Sequence, residues 1–512
     1  MTEVAPAATH LADGEWHRLH PATPLLKGGI ALVAIIGFGV YNLRDAFIET
    51  LFGGSRDADD PVSWLLNHTA FWVIALAVLG FLVLLVGAFY VSWRMHTFRI
   101  TEEVVEVRSG ILFRTHRKGR LDRIQGINIA RPFIARLFGA AKLEVTVAGQ
   151  DANVQLDYLG SAAADELRRE ILRLASGTQA ADHSTAAAAV AGGIIEQRVS
   201  ELLAPELDPN EAPPESVVSI GIPRVIGSLL LSEFTIIALG IVIAVIVGTA
   251  ISGEPVVLFA VVPGIIGGAS YYWSRFTRSL RYTIAGTPDG IRIGYGLLST
   301  SNDTLPPGRI HSVQVSQPLL WRLTGWWEIK VNRATKSTST DGSAQRNTTI
   351  LPVGDRADVM RVLGLVLPGL SSDEALGLLQ RGLESKGGDD GFTNSPRRAA
   401  VIRWFSWRRN GFALVDDAVL LRKGAIWREL VIVPLARLQS VSIDDGPIYR
   451  RLRLRAVKVH TVAGPITPSL GALDHTEADS FFDTVAAAAV RSGSADTSHH
   501  WRAHEVRSTE AQ

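Results

Sequence analysis

A chain of 512 residues is too long for one hydrophobic core, so it must divide into several domains. With 51 lysines and arginines against 50 aspartates and glutamates there is no global basic field to grip nucleic acid. The absence of cysteine excludes disulfides, thiolate zinc sites and a cysteine nucleophile, and fits a reducing cytoplasm.

Residues 1–24 read as a cytoplasmic N-terminal segment that carries the string Trp16-His17-Arg18-Leu19-His20-Pro21. Two apolar runs follow, 25–47 and 70–93, each near the ~20 residues a helix needs to cross the hydrocarbon layer, and together they predict a first transmembrane hairpin over 25–93. Residues 94–176 read as a first small domain, 177–221 as a flexible linker rich in Ala, Ser, Thr and Pro, and 222–274 as a second hairpin with spans 225–251 and 256–273. A second domain covers 275–370, a linker 371–396, a third domain 397–491, and 492–512 reads as a disordered tail. Arg18, Lys27, Arg94 and Arg99 flank the first hairpin and Arg224, Arg275, Arg278 and Arg281 the second, while the connecting loops hold few cations. The positive-inside rule therefore predicts a multi-pass plasma-membrane protein with both termini and all three domains in the cytoplasm.

The three domains are copies of one unit. Gly110 precedes Arg123 by the same 13 residues that separate Gly296 from Arg309 and Gly424 from Arg437. Each Arg leads into an alternating apolar stretch such as Val313 and Val315, the period of a half-buried strand, and then into a Pro-containing stretch with an Arg-Leu, Pro132 to Arg136 and Pro318 to Arg322; in the third copy the match is looser, with Pro447 shifted by one and Arg450 or Arg451 as the counterpart. Each copy closes with an amphipathic helix, visible near 165–174, 355–365 and 476–490. Several strands followed by one helix describe an α+β module.

The unit, with the Trp16 to Pro21 string ahead of a hydrophobic hairpin, resembles the bacterial pleckstrin-homology-like membrane proteins of the YdbS/YdbT type. The resemblance implies α-helical transmembrane hairpins plus three PH-like antiparallel β-barrel or sheet domains, each capped by a C-terminal helix. It implies no known chemistry, only suggested roles in envelope stress or resistance to membrane-active peptides.

No catalytic constellation is visible, and the expectation is a protein that is not an enzyme and needs no cofactor or metal. Ile293-Gly294-Tyr295-Gly296 lacks the third glycine and the helix of a dinucleotide loop, there is no Gly-Lys-Ser or Gly-Lys-Thr phosphate loop, and His116, His311 and His460 fall at different repeat positions. The residues singled out instead are the repeated Arg123, Arg309 and Arg437, as lipid-phosphate ligands or as structural ties at a strand junction. Glu233, within the third span, is an ionisable group in a membrane or a group that pairs or snorkels. Trp404 and Trp407 lie in a segment, 397–409, that carries five arginines: an in-plane membrane contact, or the first strand of the third domain. The leading reading is a non-enzymatic membrane-anchored scaffold or sensor that binds membrane lipids, a membrane-protein partner or further copies of itself, and not nucleic acid. The alternative is a component of a small-solute or peptide transporter or channel.

Overall fold

The computed structural model describes residues 11–23, 26, 70–110, 114–148, 153–175, 217–252, 256–287, 290–297, 299–306, 308–334 and 348–496. The predicted first span, most of the first linker, both loops between spans and the tail beyond residue 496 lie outside the described residues. The chain forms two compact units, one of Met1–Arg120, Arg131–Leu143 and Val154–Glu170, the other of Leu121–Ala130, Glu144–Asn153 and Ile171–Gln512.

The first repeat runs β1 (His17–Arg18), α1 (Ala70–Arg94), β2 (Thr97–Ile100), β3 (Val104–Ser109), β4 (Thr115–Arg120), a 3-10 turn (Leu121–Arg123), β5 (Ile124–Arg131), α2 (Phe133–Leu137), β6 (Ala140–Val147), β7 (Val154–Gly160) and α3 (Ser161–Ala175). The second runs β8 (Val218–Ser219), α4 (Ile222–Leu230), α5 (Glu233–Ser252), α6 (Val256–Ser279), β9 (Thr283–Thr287), β10 (Gly290–Tyr295), β11 (Thr300–Leu305), β12 (Ile310–Gln317), a 3-10 turn (Leu320–Arg322), β13 (Trp327–Arg333), β14 (Thr349–Gly354), α7 (Arg356–Val366) and α8 (Asp373–Glu384). The third runs β15 (Thr393–Asn394), a 3-10 turn (Arg397–Val401), β16 (Gly411–Val415), β17 (Ala418–Lys423), β18 (Arg428–Pro434), a 3-10 turn (Leu435–Arg437), β19 (Ser440–Asp444), α9 (Pro447–Arg451), β20 (Leu454–His460), β21 (Ser469–Asp474) and α10 (His475–Ala495). Neighbouring strands such as β9 and β10, β12 and β18, and β19 and β20 pair antiparallel, and each repeat closes on a helix.

The repeated glycines stand at equivalent turns. Gly110, Gly296 and Gly424 all have φ between 76° and 105°, a region that L side chains reach only at a cost. A Cβ on Gly296 would lie 2.0 Å from the Ser299 carbonyl oxygen and one on Gly424 1.8 Å from that of Trp427, so both turns close three residues on in the same way.

The repeats are joined by their sheets. β12 of the second repeat pairs with β18 of the third, Val313 opposite Ile432 and Gln317 opposite Arg428. β5 of the first lies beside β11 of the second, in the order β5-β11-β10-β9-β8. This continuity explains why β18 reads as an unbroken apolar run rather than an alternating one. Leu430 and Ile432 face the core that α7 and α8 close, while Val431 and Val433 face the core under α10.

Two expectations are corrected. Residues 371–396, expected as a linker, contain α8, capped by Ser372 and burying Ala375, Leu378, Leu379 and Leu383 at helical spacing in the shared core. The third span does not begin at Val225. Its first residues form α4, whose Val225 and Leu229 are buried in the second repeat, and the chain turns before α5 begins at Glu233. Apolar residues of a core helix and of a lipid-facing helix look alike in hydropathy, and the two had merged into one run.

Candidate functional site

Each repeat leads its chain out of the fold at the same place, between a two-residue edge strand and the first long strand. In the first repeat β1 pairs with β2, His17 opposite Phe98, and the Leu19 carbonyl accepts from the Trp93 indole at the end of α1. In the second, β8 pairs with β9, and α4 then carries the chain to α5. α4 is fixed by Arg224, which donates to Asp358 at 2.5 Å and Asp355 at 3.2 Å, the two residues that form the capping box of α7. Arg224 therefore anchors α4 to the domain.

Glu233–Ile251 is long and apolar enough to cross a bilayer, and none of its side chains is buried within the protein. It is the one helix among the described residues that meets both criteria of length and composition. The second and fourth predicted spans are present as the helices α1 and α6.

In the third repeat β15 pairs with β16, Asn394 opposite Gly411, and only residues 395–410 lie between them. The segment stands where the other two repeats send out their long helices. It is neither a strand nor a helix long enough to span, but a 3-10 turn followed by tight turns. The structure separates its two tryptophans. Trp407 packs with Ala399, Ile402, Tyr449, Leu452 and Leu454 in a small core, whereas Trp404 is 73% exposed and lies against Phe405 with ring centroids 3.9 Å apart. Val401 is exposed beside them, and Arg397 and Arg408 are exposed in the same segment.

Two of the five arginines hold the segment down. Arg409 donates to the carbonyls of Gly382, Leu383, Ser385, Lys423 and Gly424, and burial, with Arg422, Arg428 and Arg322 nearby, pulls its pKa down to about 9. Arg398 donates to the Leu452 and Arg453 carbonyls and to Asp474. Below them Arg422, with no exposed surface, pairs with Asp390 at 2.6 Å and lies over the Phe392 ring. The aromatic tip is thus carried on a rigid base.

A second feature is an open groove of about 640 Å³ lined by Gln317, Leu319, Arg322, Leu323, Trp327, Arg356, Glu384 and Arg428. Arg322 donates to the Ala425 carbonyl and Arg356 pairs with Glu384, while Arg428 has a buried Nε with no hydrogen-bond partner. Burial, then the nearby Arg322 charge, lowers the Arg428 pKa. Three guanidiniums against one carboxylate suit an oxyanion, and the exposed Leu319 and Leu323 border them with apolar surface.

The sequence profile of the bacterial PH domain matches residues 46–175, 226–370 and 375–489. The chain belongs to the bacterial PH-domain family. It is also similar to the UPF0699 transmembrane protein YdbT of Bacillus subtilis, 26% identical over 109 residues, which cover 21% of this chain and 22% of that protein. Each matched segment contains the strands and closing helix of one repeat, and the third also takes in most of α8.

Within this family frame the repeated arginines stand at the joints between PH repeats. Arg309 donates to the Asp122 carbonyl in the turn before β5. Arg437 pairs with Asp496 at 2.8 Å and stands beside His311, whose pKa burial and the Arg437 charge lower to about 4. Arg123 is exposed and makes no side-chain hydrogen bond or ion pair with a described residue. The three are not gathered into one site. Glu233 is the first residue of the span: it opens α5, where an acid complements the helix dipole, and accepts from the Trp427 indole of the third repeat. Arg322 and Arg428 were not singled out in the sequence as a pair. Arg322 belongs to the repeated Arg-Leu pair, but only the β12–β18 joint brings Arg428 next to it.

Proposed function

We propose that the protein is a membrane-anchored scaffold or sensor, without catalytic activity, whose bacterial PH repeats lie on the cytoplasmic face and contact phospholipid head groups and protein partners there. The observation that carries this reading is the exposed Trp404–Phe405 tip, placed where the sister repeats lead into long apolar helices. A tryptophan left exposed to water is costly, and an indole favours the head-group zone, where each nearby arginine adds about 1 kcal/mol on an anionic surface. The third repeat has no hairpin of its own, and the tip serves in its place as an in-plane contact. The arginine groove supplies the second element, a phosphate subsite rimmed by Leu319 and Leu323.

The similarity to a Bacillus transmembrane protein supports placement in the membrane and says nothing of a ligand. Against the transporter reading, Glu233 accepts from the Trp427 indole at the start of α5, a helix with no other acid, which favours a structural part for it.

The chain has no cysteine, so a single spin label can be placed at Trp404→Cys in the full-length protein reconstituted in anionic vesicles. The label is expected to collide with oxygen more often than with an aqueous nickel chelate, and to reverse that preference in detergent-free protein on neutral vesicles at high salt. Preference for the aqueous quencher on anionic vesicles removes the membrane contact.

A further inference from the structure

Both joints between repeats are built alike: the opening strand of one repeat's second sheet lies beside the last strand of the next repeat's first sheet, β5 beside β11 and β12 beside β18. The series leaves one such strand over at each end. Among the described residues the first sheet of the first repeat stops at β4, the counterpart of β11 and β18, and the last sheet stops at β19, the counterpart of β5 and β12. Both retain exposed positions along their length, whereas β11 and β12 are mostly buried.

We propose that β19 of one copy of the chain pairs with β4 of a second copy, repeating the internal joint between molecules. The repeat spacing fixes the register. Val313 opposite Ile432 in the observed joint becomes Val441 opposite Lys118, and Gln317 opposite Arg428 becomes Asp445 opposite Arg114. Asp444 then faces Thr115. The same translation puts Gly126 opposite Leu305, and a Cβ on Gly126 would lie 3.2 Å from the Thr304 carbonyl oxygen and 3.3 Å from the Leu305 side chain, a proximity compatible with that register at the other internal joint.

Charge agrees with this register. β4 and its flank read Arg114-Thr115-His116-Arg117-Lys118-Gly119-Arg120, and β19 ends in Asp444 and Asp445, the latter 3.8 Å from Arg455. Lysines and arginines on a free edge also keep strands apart, but the acids on β19 are then opposite them instead of random. Arg123 gains a role as well: Arg309 reaches the Asp122 carbonyl of the preceding repeat, and the equivalent acceptor for Arg123 is the Ala436 carbonyl of the other copy. The contact is heterologous, so each copy offers one donor edge and one acceptor edge and copies add head to tail.

The test uses the cysteine-free full-length protein in membranes. Thr115→Cys in a copy with one tag and Asp444→Cys in a copy with another are coexpressed and oxidised; both positions are exposed, so the fold tolerates them. A disulfide needs Cα atoms within about 7 Å, so this pair is expected to give a mixed-tag dimer and the pair Arg120→Cys with Asp444→Cys none. Asp445→Arg is expected to abolish the dimer and Arg114→Asp in the other copy to restore it. A chain carrying both Thr115→Cys and Asp444→Cys is expected to give a ladder of multimers. A bond confined to single chains, equal yields for the two pairs, or no disulfide in any combination overturns the proposal.

Discussion

The Trp427 indole donates to the Glu233 carboxylate, tying the first turn of the apolar helix α5 to the glycine turn of the third repeat, although the two residues are far apart in sequence. The bond is solvent-exposed, with Trp427 51% exposed, so its contribution is that of an exposed charged hydrogen bond, about 0.5–1 kcal/mol. Glu233→Gln and Trp427→Phe are each expected to lower the melting temperature of the detergent-solubilised protein slightly, and the double variant to add little more. A double-mutant cycle with no coupling between the two positions removes the tie.

Glu106 on β3 gathers Lys118 at 2.7 Å, Arg99 at 3.1 Å and His116 at 3.1 Å. Burial raises its pKa, and the bonds to Lys118 and His116 with the Lys118 and Arg99 charges outweigh that, holding the carboxyl down at about 2. A carboxyl depressed in the fold stabilises it above the ordinary value near 4.5, and this stabilisation is lost as pH falls towards 2. Discounted for the exposure of Lys118 and His116, it is about 2 kcal/mol. Glu106→Gln is expected to melt well below the wild type at pH 7 and together with it near pH 2, as followed by circular dichroism.

Asn332, fully buried on β13, donates to the Ile466 carbonyl at 2.7 Å and accepts from the Ile466 amide at 3.0 Å, as a strand would. Gly464 allows the approach, since a Cβ there would lie 2.2 Å from the Asn332 side-chain oxygen. Asn332→Ala leaves two buried backbone groups unpaired and is expected to cost about 2–4 kcal/mol. Hydrogen exchange should rise at residues 462–468; unchanged protection there contradicts the clamp.

Asp303 and Arg333 form a buried ion pair at 3.1 Å, with side chains 6% and 4% exposed. Burial raises the Asp303 pKa, and Arg333 opposes it. Asp303→Ala removes the carboxylate that faces a buried guanidinium and is expected to cost about 3–5 kcal/mol, whereas replacing both residues with leucine and methionine is expected to recover most of the loss. Chemical denaturation of the single and double variants measures both; a double variant as unstable as the single one contradicts the account.

The sequence by itself determined the repeat. Local chemistry is enough for that: a turn closing under positive φ demands glycine at 110, 296 and 424, and alternation writes each half-buried strand into the chain. It also marked the 397–409 segment, because clustered arginines and tryptophans are unusual wherever they occur. The roles within that segment were decided only in three dimensions. Trp404 and Trp407 are three residues apart and chemically the same, yet one fills a core beside Tyr449 and the other is exposed, since burial depends on what the rest of the fold brings alongside. Val225 and Ile236 likewise have similar hydropathy, and burial in the core of the second repeat in one case and exposure in the other separates core helix from span. The joints β5–β11 and β12–β18, and with them the groove that sets Arg428 beside Arg322, join residues far apart in sequence. Backbone hydrogen bonding between strand edges carries no side-chain signature, so no residue pattern announces which edges meet.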